Sequence, residues 1–195
     1  TAGTFAYNLV SVAYQTAPNC SNSISGTATV TVRPTPTASI SGTTTVCQGA
    51  SSPNITFTNP QALPVTITYN INGGAPQTIN VAASSNATVA VPTGTAGTFA
   101  YNLVSVAYQT APSCSNSISG TATVTVEPEL LPGIIGSDQS LCNPADPDPF
   151  INITSASGGL APLSYQWKSS TTSGGPYTPI PGATGATYDV PAGLS

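Results

Sequence analysis

The sequence has no histidine and no methionine, and its only cations are Arg33 and Lys168. Charged residues make up 4% of the chain, against roughly 25% in ordinary soluble domains. From Pro34 to Val126, 93 residues pass without one Asp, Glu, Lys, Arg or His. Acid–base catalysis needs a group that titrates near the working pH, and a serine or cysteine nucleophile needs a base beside it, so this stretch excludes both. Zinc, copper and iron sites need several His, Cys or carboxylate ligands, and two cysteines supply half of one. The expectation is a protein that is not an enzyme and holds no cofactor. A net charge of −4 with two isolated cations also excludes a surface that tracks phosphates, and with it nucleic acid as a partner. No apolar run approaches the roughly 18 residues of a membrane span. The longest candidate, LLPGII from Leu130, is short and interrupted by Pro132, so no membrane insertion is expected in this segment.

Scarcity of charge does not mean disorder here. Disordered chains pair low hydrophobicity with high net charge, whereas 39% of this chain is apolar. What dominates instead is repetition. TAGTFAYNLVSVAYQTAP at Thr1 returns at Thr95, and residues 1–32 and 95–126 differ only where Asn19 becomes Ser113. A period of 94 residues is the size of a domain and marks an array of modules. The boundaries expected from it are 1–32 as the C-terminal part of one repeat, 33–126 as a complete repeat, and 127–195 as the N-terminal part of a divergent one. The junctions, RPTPT from Arg33 and EPELLPG from Glu127, are proline-stiffened, and predict short semi-rigid spacers that string the modules lengthwise.

Within 33–126 apolar residues alternate with Thr, Ser or Asn, the period of a half-buried strand. PVTITYNI places Val65, Ile67, Tyr69 and Ile71 on one face, and NITFTN, QTINV, ATVAV and TATVTV repeat the pattern. Threonine suits the outward positions, because its branched side chain fits a pleat and its hydroxyl keeps that face wet. In GTFAYNLVSVAYQ the apolar set shifts by one, from Phe99, Tyr101 and Leu103 to Val104, Val106 and Tyr108. A strand cannot turn its side chains over without an extra residue, which predicts a β-bulge near Leu103–Ser105 or burial on both faces. Turn signals fall between the runs, NGG at Asn72 and SSN at Ser84 among them. About seven short strands without helical periodicity describe an all-β fold of β-sandwich modules.

Each repeat carries one early and one late cysteine, at 20, 47, 114 and 142. That usage suggests an oxidising compartment and a Cys47–Cys114 disulfide. A Cys20–Cys47 bond across the junction and free thiols are the alternatives, and the partners of Cys20 and Cys142 stay open. In the last segment, LSYQWKSS aligns Leu163, Tyr165 and Trp167 on one face, where Trp167 reads as a core plug rather than a sugar platform. NPADPDPF, from Asn143, could offer oxygens to calcium, but its spacing matches no calcium loop, and a solvated proline-stiffened loop is the simpler reading. Tyr108 beside Gln109 is the best candidate for contact with a sugar. The competing reading has Tyr108 capping the edge of the core with its hydroxyl in water.

TVCQGASSPNITFTN, GTFAYNLVSVAYQ and SCSNSISGTATVTV, with YQWKSS and GATGATYDVP in the last segment, resemble the giant repetitive surface adhesins of the Bacteroidetes, in particular the SprB-type gliding-motility adhesins. The resemblance covers essentially the whole chain. It implies tandem immunoglobulin-like or PKD-like modules in an elongated array, exported by type IX secretion to the outer surface. Propulsion by the gliding machinery and adhesion to an extracellular surface or polysaccharide are implied with it, through regions outside this segment. No catalytic residues belong to such modules. The immunoglobulin disulfide between the second and sixth strands is not reproduced here. Because the water-facing Thr, Ser and Asn are kept letter for letter between copies, the repeat reads as a spacer valued for number and length; the alternative is a carbohydrate-binding module.

Overall fold

The computed structural model describes residues 1–136, 138–142 and 146–193, and is all-β with no helix among them. The strands of the first half are β1 (Gly3–Asn8), β2 (Ser11–Ala13), β3 (Ser21–Ser23), β4 (Thr27–Val32), β5 (Ser39–Ser41), β6 (Thr44–Cys47), β7 (Asn54–Asn59), β8 (Val65–Ile71) and β9 (Gln77–Val81). They are followed by β10 (Ser85–Ala90), β11 (Gly97–Tyr108), β12 (Ser115–Ser117), β13 (Thr121–Glu127), β14 (Ile134–Gly136), β15 (Ile151–Thr154), β16 (Lys168–Ser169) and β17 (Thr178–Pro179). The largest sheet has the order β6-β13-β11-β8-β9, with β12 also on β11, and a three-stranded sheet has the order β10-β7-β5. The remaining strands form two-stranded sheets: β1-β4, β2-β3, β14-β15 and β16-β17.

The chain divides into two compact units, one of residues 1–43, 54–89 and 100–123, the other of residues 44–53, 90–99 and 124 onward. In the first unit the alternation read from the sequence is realised. Val65, Ile67 and Tyr69 of β8 are buried while Thr66 and Thr68 between them are not, and Ile55 and Phe57 of β7 are buried in the same way. The rings of Phe57 and Tyr69 lie 4.8 Å apart, and those of Tyr69 and Tyr101 6.1 Å apart, so side chains of β7 pack against those of β8 and β11. Aromatic pairs at this spacing add to the stabilisation from burial itself. This arrangement of sheets and core is consistent with the β-sandwich class.

Pairing of β11 with β8 shifts register between Leu103 and Ser105, which is the bulge the sequence predicts. Leu103 and Val106 are both buried, and Val104, the residue passed over, is largely exposed. The β8–β9 hairpin turns at Asn72 (φ 51°) and Gly73 (φ 73°), and the Gly74 N–H donates to the Ile71 carbonyl at 2.9 Å. Two successive positive φ values define the turn whose twist matches the flanking strands. In the second unit β6 runs parallel to the end of β13, with Thr44 opposite Val124 and Cys47 opposite Glu127. There Val91, Val124 and Val126 are fully buried, and the Thr93 hydroxyl donates to the Ala50 carbonyl at 2.5 Å.

Beyond Glu127 the expected strands are shorter. FINIT forms β15, which pairs with β14, whereas LSYQWKSS contributes only Lys168–Ser169 to a strand. Even so Leu163, Tyr165 and Trp167 share the less exposed side of their segment. Trp167 is held by backbone bonds, its N–H to the Ala183 carbonyl and its carbonyl from the Ile180 N–H, both at 2.9 Å.

Candidate functional site

Among the described residues the buried polar groups of the core all have partners. Asn59 continues the inward face of Ile55 and Phe57. Its amide donates to the carbonyls of Leu63 (2.9 Å) and Ala82 (2.8 Å), and its Oδ1 accepts from the Gln61 N–H at 2.9 Å. One side chain thus closes two loops at once. Burial raises the Tyr69 and Tyr101 hydroxyls above the ordinary tyrosine value, and for Tyr101 the neighbouring Tyr69 adds to the effect. Both are therefore neutral donors at ordinary pH. The Tyr69 hydroxyl donates to Gln77 Oε1 at 3.0 Å.

The pair Tyr108 and Gln109 is placed differently from a sugar platform. Tyr108 is 3% exposed, its hydroxyl donates to Gln61 Oε1 at 3.1 Å, and the Arg33 guanidinium lies 5.8 Å from its ring centre. The Gln109 amide donates to the Val65 carbonyl at 2.8 Å. With the ring buried and both polar ends committed to the protein, neither residue offers a face to a ligand. Arg33 belongs to the same cluster, donating to the Thr110 carbonyl at 2.7 Å, the Thr110 hydroxyl and the Pro112 carbonyl. The junction at Arg33 is thus tied down by side-chain hydrogen bonds, and Pro36 behind it is buried, its carbonyl accepting from Asn116. Nothing local in RPTPT signals this, because the partners lie almost 80 residues away.

All four cysteines are free thiols in the structure, with Cys20, Cys47 and Cys142 exposed and Cys114 half-buried. The expected Cys47–Cys114 bond is not formed. Cys47 ends β6 opposite Glu127, whereas the Cys114 carbonyl accepts from the Tyr108 N–H beside β12. Among the described residues no three His, Cys, Asp or Glu side chains gather as metal ligands would. The proposed calcium loop falls partly outside the described residues, at 143–145. Of its neighbours, Asp146 and Asp148 are exposed, and the backbone of Asp148 is clamped by the Gln139 amide through two 2.8 Å bonds.

One cavity stands out, of about 1010 Å³, lined by Phe150, Trp167, Lys168, Tyr177, Tyr188 and surrounding Ser and Thr residues. Phe150, Trp167 and Tyr188 form a continuous stack, with centroids 6.1 and 5.6 Å apart, and the indole N–H donates to the Gly185 carbonyl at 2.9 Å. Tyr177 is more than half exposed at its rim. Stacking explains why Trp167 is only half-buried yet ordered by its neighbours, as a plug rather than a free platform. The cavity is chemically simple: aromatic faces, hydroxyls and one ammonium.

Residues 131–195 match the family model of a domain of unknown function, DUF8696, over one third of the chain. The aromatic stack and its cavity fall within the matched region. No curated protein matches the chain.

Proposed function

We propose that this chain is a segment of an extracellular, cell-surface filament, built of tandem immunoglobulin-like modules, that supports attachment to surfaces and gliding. It acts as structural spacer and adhesive array, not as an enzyme. The observation that carries the reading is the combination of an exact 94-residue repeat with a core whose buried polar groups are all satisfied internally. Such a module stands on its own and leaves no reactive group poised. A surface nearly free of ionisable groups also holds its properties across salt and pH, as an exposed filament requires. Its partners are a substratum or polysaccharide, met by the array, and the secretion and gliding machinery, met by regions outside this segment.

The reading is tested on intact cells with antibody fragments raised against residues 33–126. Labelling without permeabilisation and reduced attachment to glass are the expected results. Labelling only after permeabilisation contradicts the surface location.

A carbohydrate-binding module is the second reading, and one observation favours it: the aromatic cavity around Trp167, Tyr177 and Lys168. Polysaccharide retention on affinity gels that is lost in Tyr177→Ala would support it. Retention unchanged by that substitution would count against it.

A further inference from the structure

We infer that residues 1–32 form a strand-acceptor site, whose occupant is the β8–β9 hairpin of another copy of the repeat, unpaired from its own β11. The two near-identical segments reach the same backbone in different surroundings. Strand β1 pairs with β4, and Ser11, Val12 and Ala13 of β2 face Ser23, Asn22 and Ser21 of β3. One repeat later, Ser105, Val106 and Ala107 of β11 face Ser117, Asn116 and Ser115 of β12 in the same register. The connecting bonds recur too: Tyr14 N–H to the Cys20 carbonyl at 3.0 Å and Tyr108 N–H to the Cys114 carbonyl at 3.1 Å, Ile24 to Val10 and Ile118 to Val104, both at 3.1 Å.

What differs is the cover. Tyr7, Val12, Tyr14 and Val30 are 62, 53, 70 and 51% exposed, while their counterparts Tyr101, Val106, Tyr108 and Val124 are 2, 0, 3 and 0% exposed. Strands β1 and β2 each sit in a two-stranded sheet, so one edge of each has no strand against it among the described residues. The same letters at β11 are covered on that edge by β8, with Tyr101 opposite Ile71, Leu103 opposite Tyr69, Val106 opposite Ile67 and Tyr108 opposite Val65. Carried back by one repeat, this register sets Tyr7, Leu9, Val12 and Tyr14 against the same four residues of a second copy. An open edge with an apolar face is a template for strand addition, in which backbone bonds give affinity and alternate side chains give register. Because the hairpin bonds already exist without the occupant, little ordering remains to be done on binding.

The test is binding of a labelled synthetic peptide, residues 63–83, to the full chain, followed by anisotropy and by amide exchange. Saturable binding at one site, with new protection at Tyr7–Tyr14, is expected. Binding should weaken at least tenfold with the Ile67→Asp peptide, and equally with the intact peptide on chain carrying Val12→Asp. Val12 lies outside the main core, so loss of binding there cannot come from its unfolding. Absence of binding, indifference to both substitutions, or protection appearing at Tyr101–Tyr108 instead would overturn the inference. So would self-association of the chain through residues 1–32 that excess peptide fails to dissociate, since the face would then prefer its own kind.

Discussion

Residues 1–32 and 95–126 carry the same message apart from one residue, and the structure gives them the same hairpin but opposite environments. Turn placement, register and the loop bonds are therefore local properties of these letters. Burial is not: it comes from β7, β8 and β9, which lie earlier in the chain than β11 and have no counterpart against β1. Even the strand assignment responds. The copy covered by β8 runs unbroken from Gly97 to Tyr108, whereas the uncovered one breaks into β1 and β2 at Leu9 and Val10. A bulge is held as continuous strand only where a neighbour supplies bonds on both sides of it.

Substituting the two copies at equivalent positions breaks the comparison most sharply. Val106→Asp buries an unpaired carboxylate and should cost about 4 kcal/mol or more, enough to unfold the core. Val12→Asp, one repeat earlier, should change stability by less than about 0.5 kcal/mol. Urea denaturation followed by tyrosine circular dichroism reads both. Equal effects would mean the two environments are alike.

A smaller effect is expected at Asn59, whose amide has no counterpart in residues 1–32. Asn59→Ala strands the carbonyls of Leu63 and Ala82 and should cost about 1–3 kcal/mol by the same assay. The smallest is with pH. Residues 34–126 hold no carboxylate, amine or imidazole side chain, so the stability of the core should stay level from about pH 5 to 8. Tyr69 and Tyr101 have folded pKa values above their unfolded ones. The unfolded chain therefore loses its protons first, and the stability they contribute, whole below about pH 10, is lost as the pH rises through the folded values. Melting temperatures across that range check it, and a steep acid transition of the core would be inconsistent with it.

Much of this was legible because a period of two forces residues to one face. Val65, Ile67, Tyr69, Val106, Val124 and the bulge after Leu103 all follow from it. Asn59 obeys the same period, and its place after Ile55 and Phe57 was the available signal for a buried amide. What sequence spacing could not reach were contacts between distant strands. The Gln61 bond to Tyr108 turned a candidate sugar contact into a core residue, and the Arg33 bonds to Thr110 and Pro112 turned a spacer into an anchored strap. Pairing the cysteines from one pair per repeat failed for a related reason. Recurrence gives their number in each module, but not which strand end each one occupies.

Amide hydrogen exchange on the intact chain, resolved residue by residue, tests most directly the claim that cover by β8, and not the letters themselves, makes this hairpin a core. The account predicts strong protection across Tyr101–Tyr108 and weak protection across Tyr7–Tyr14, despite identical sequence. Equal protection of the two copies would contradict it.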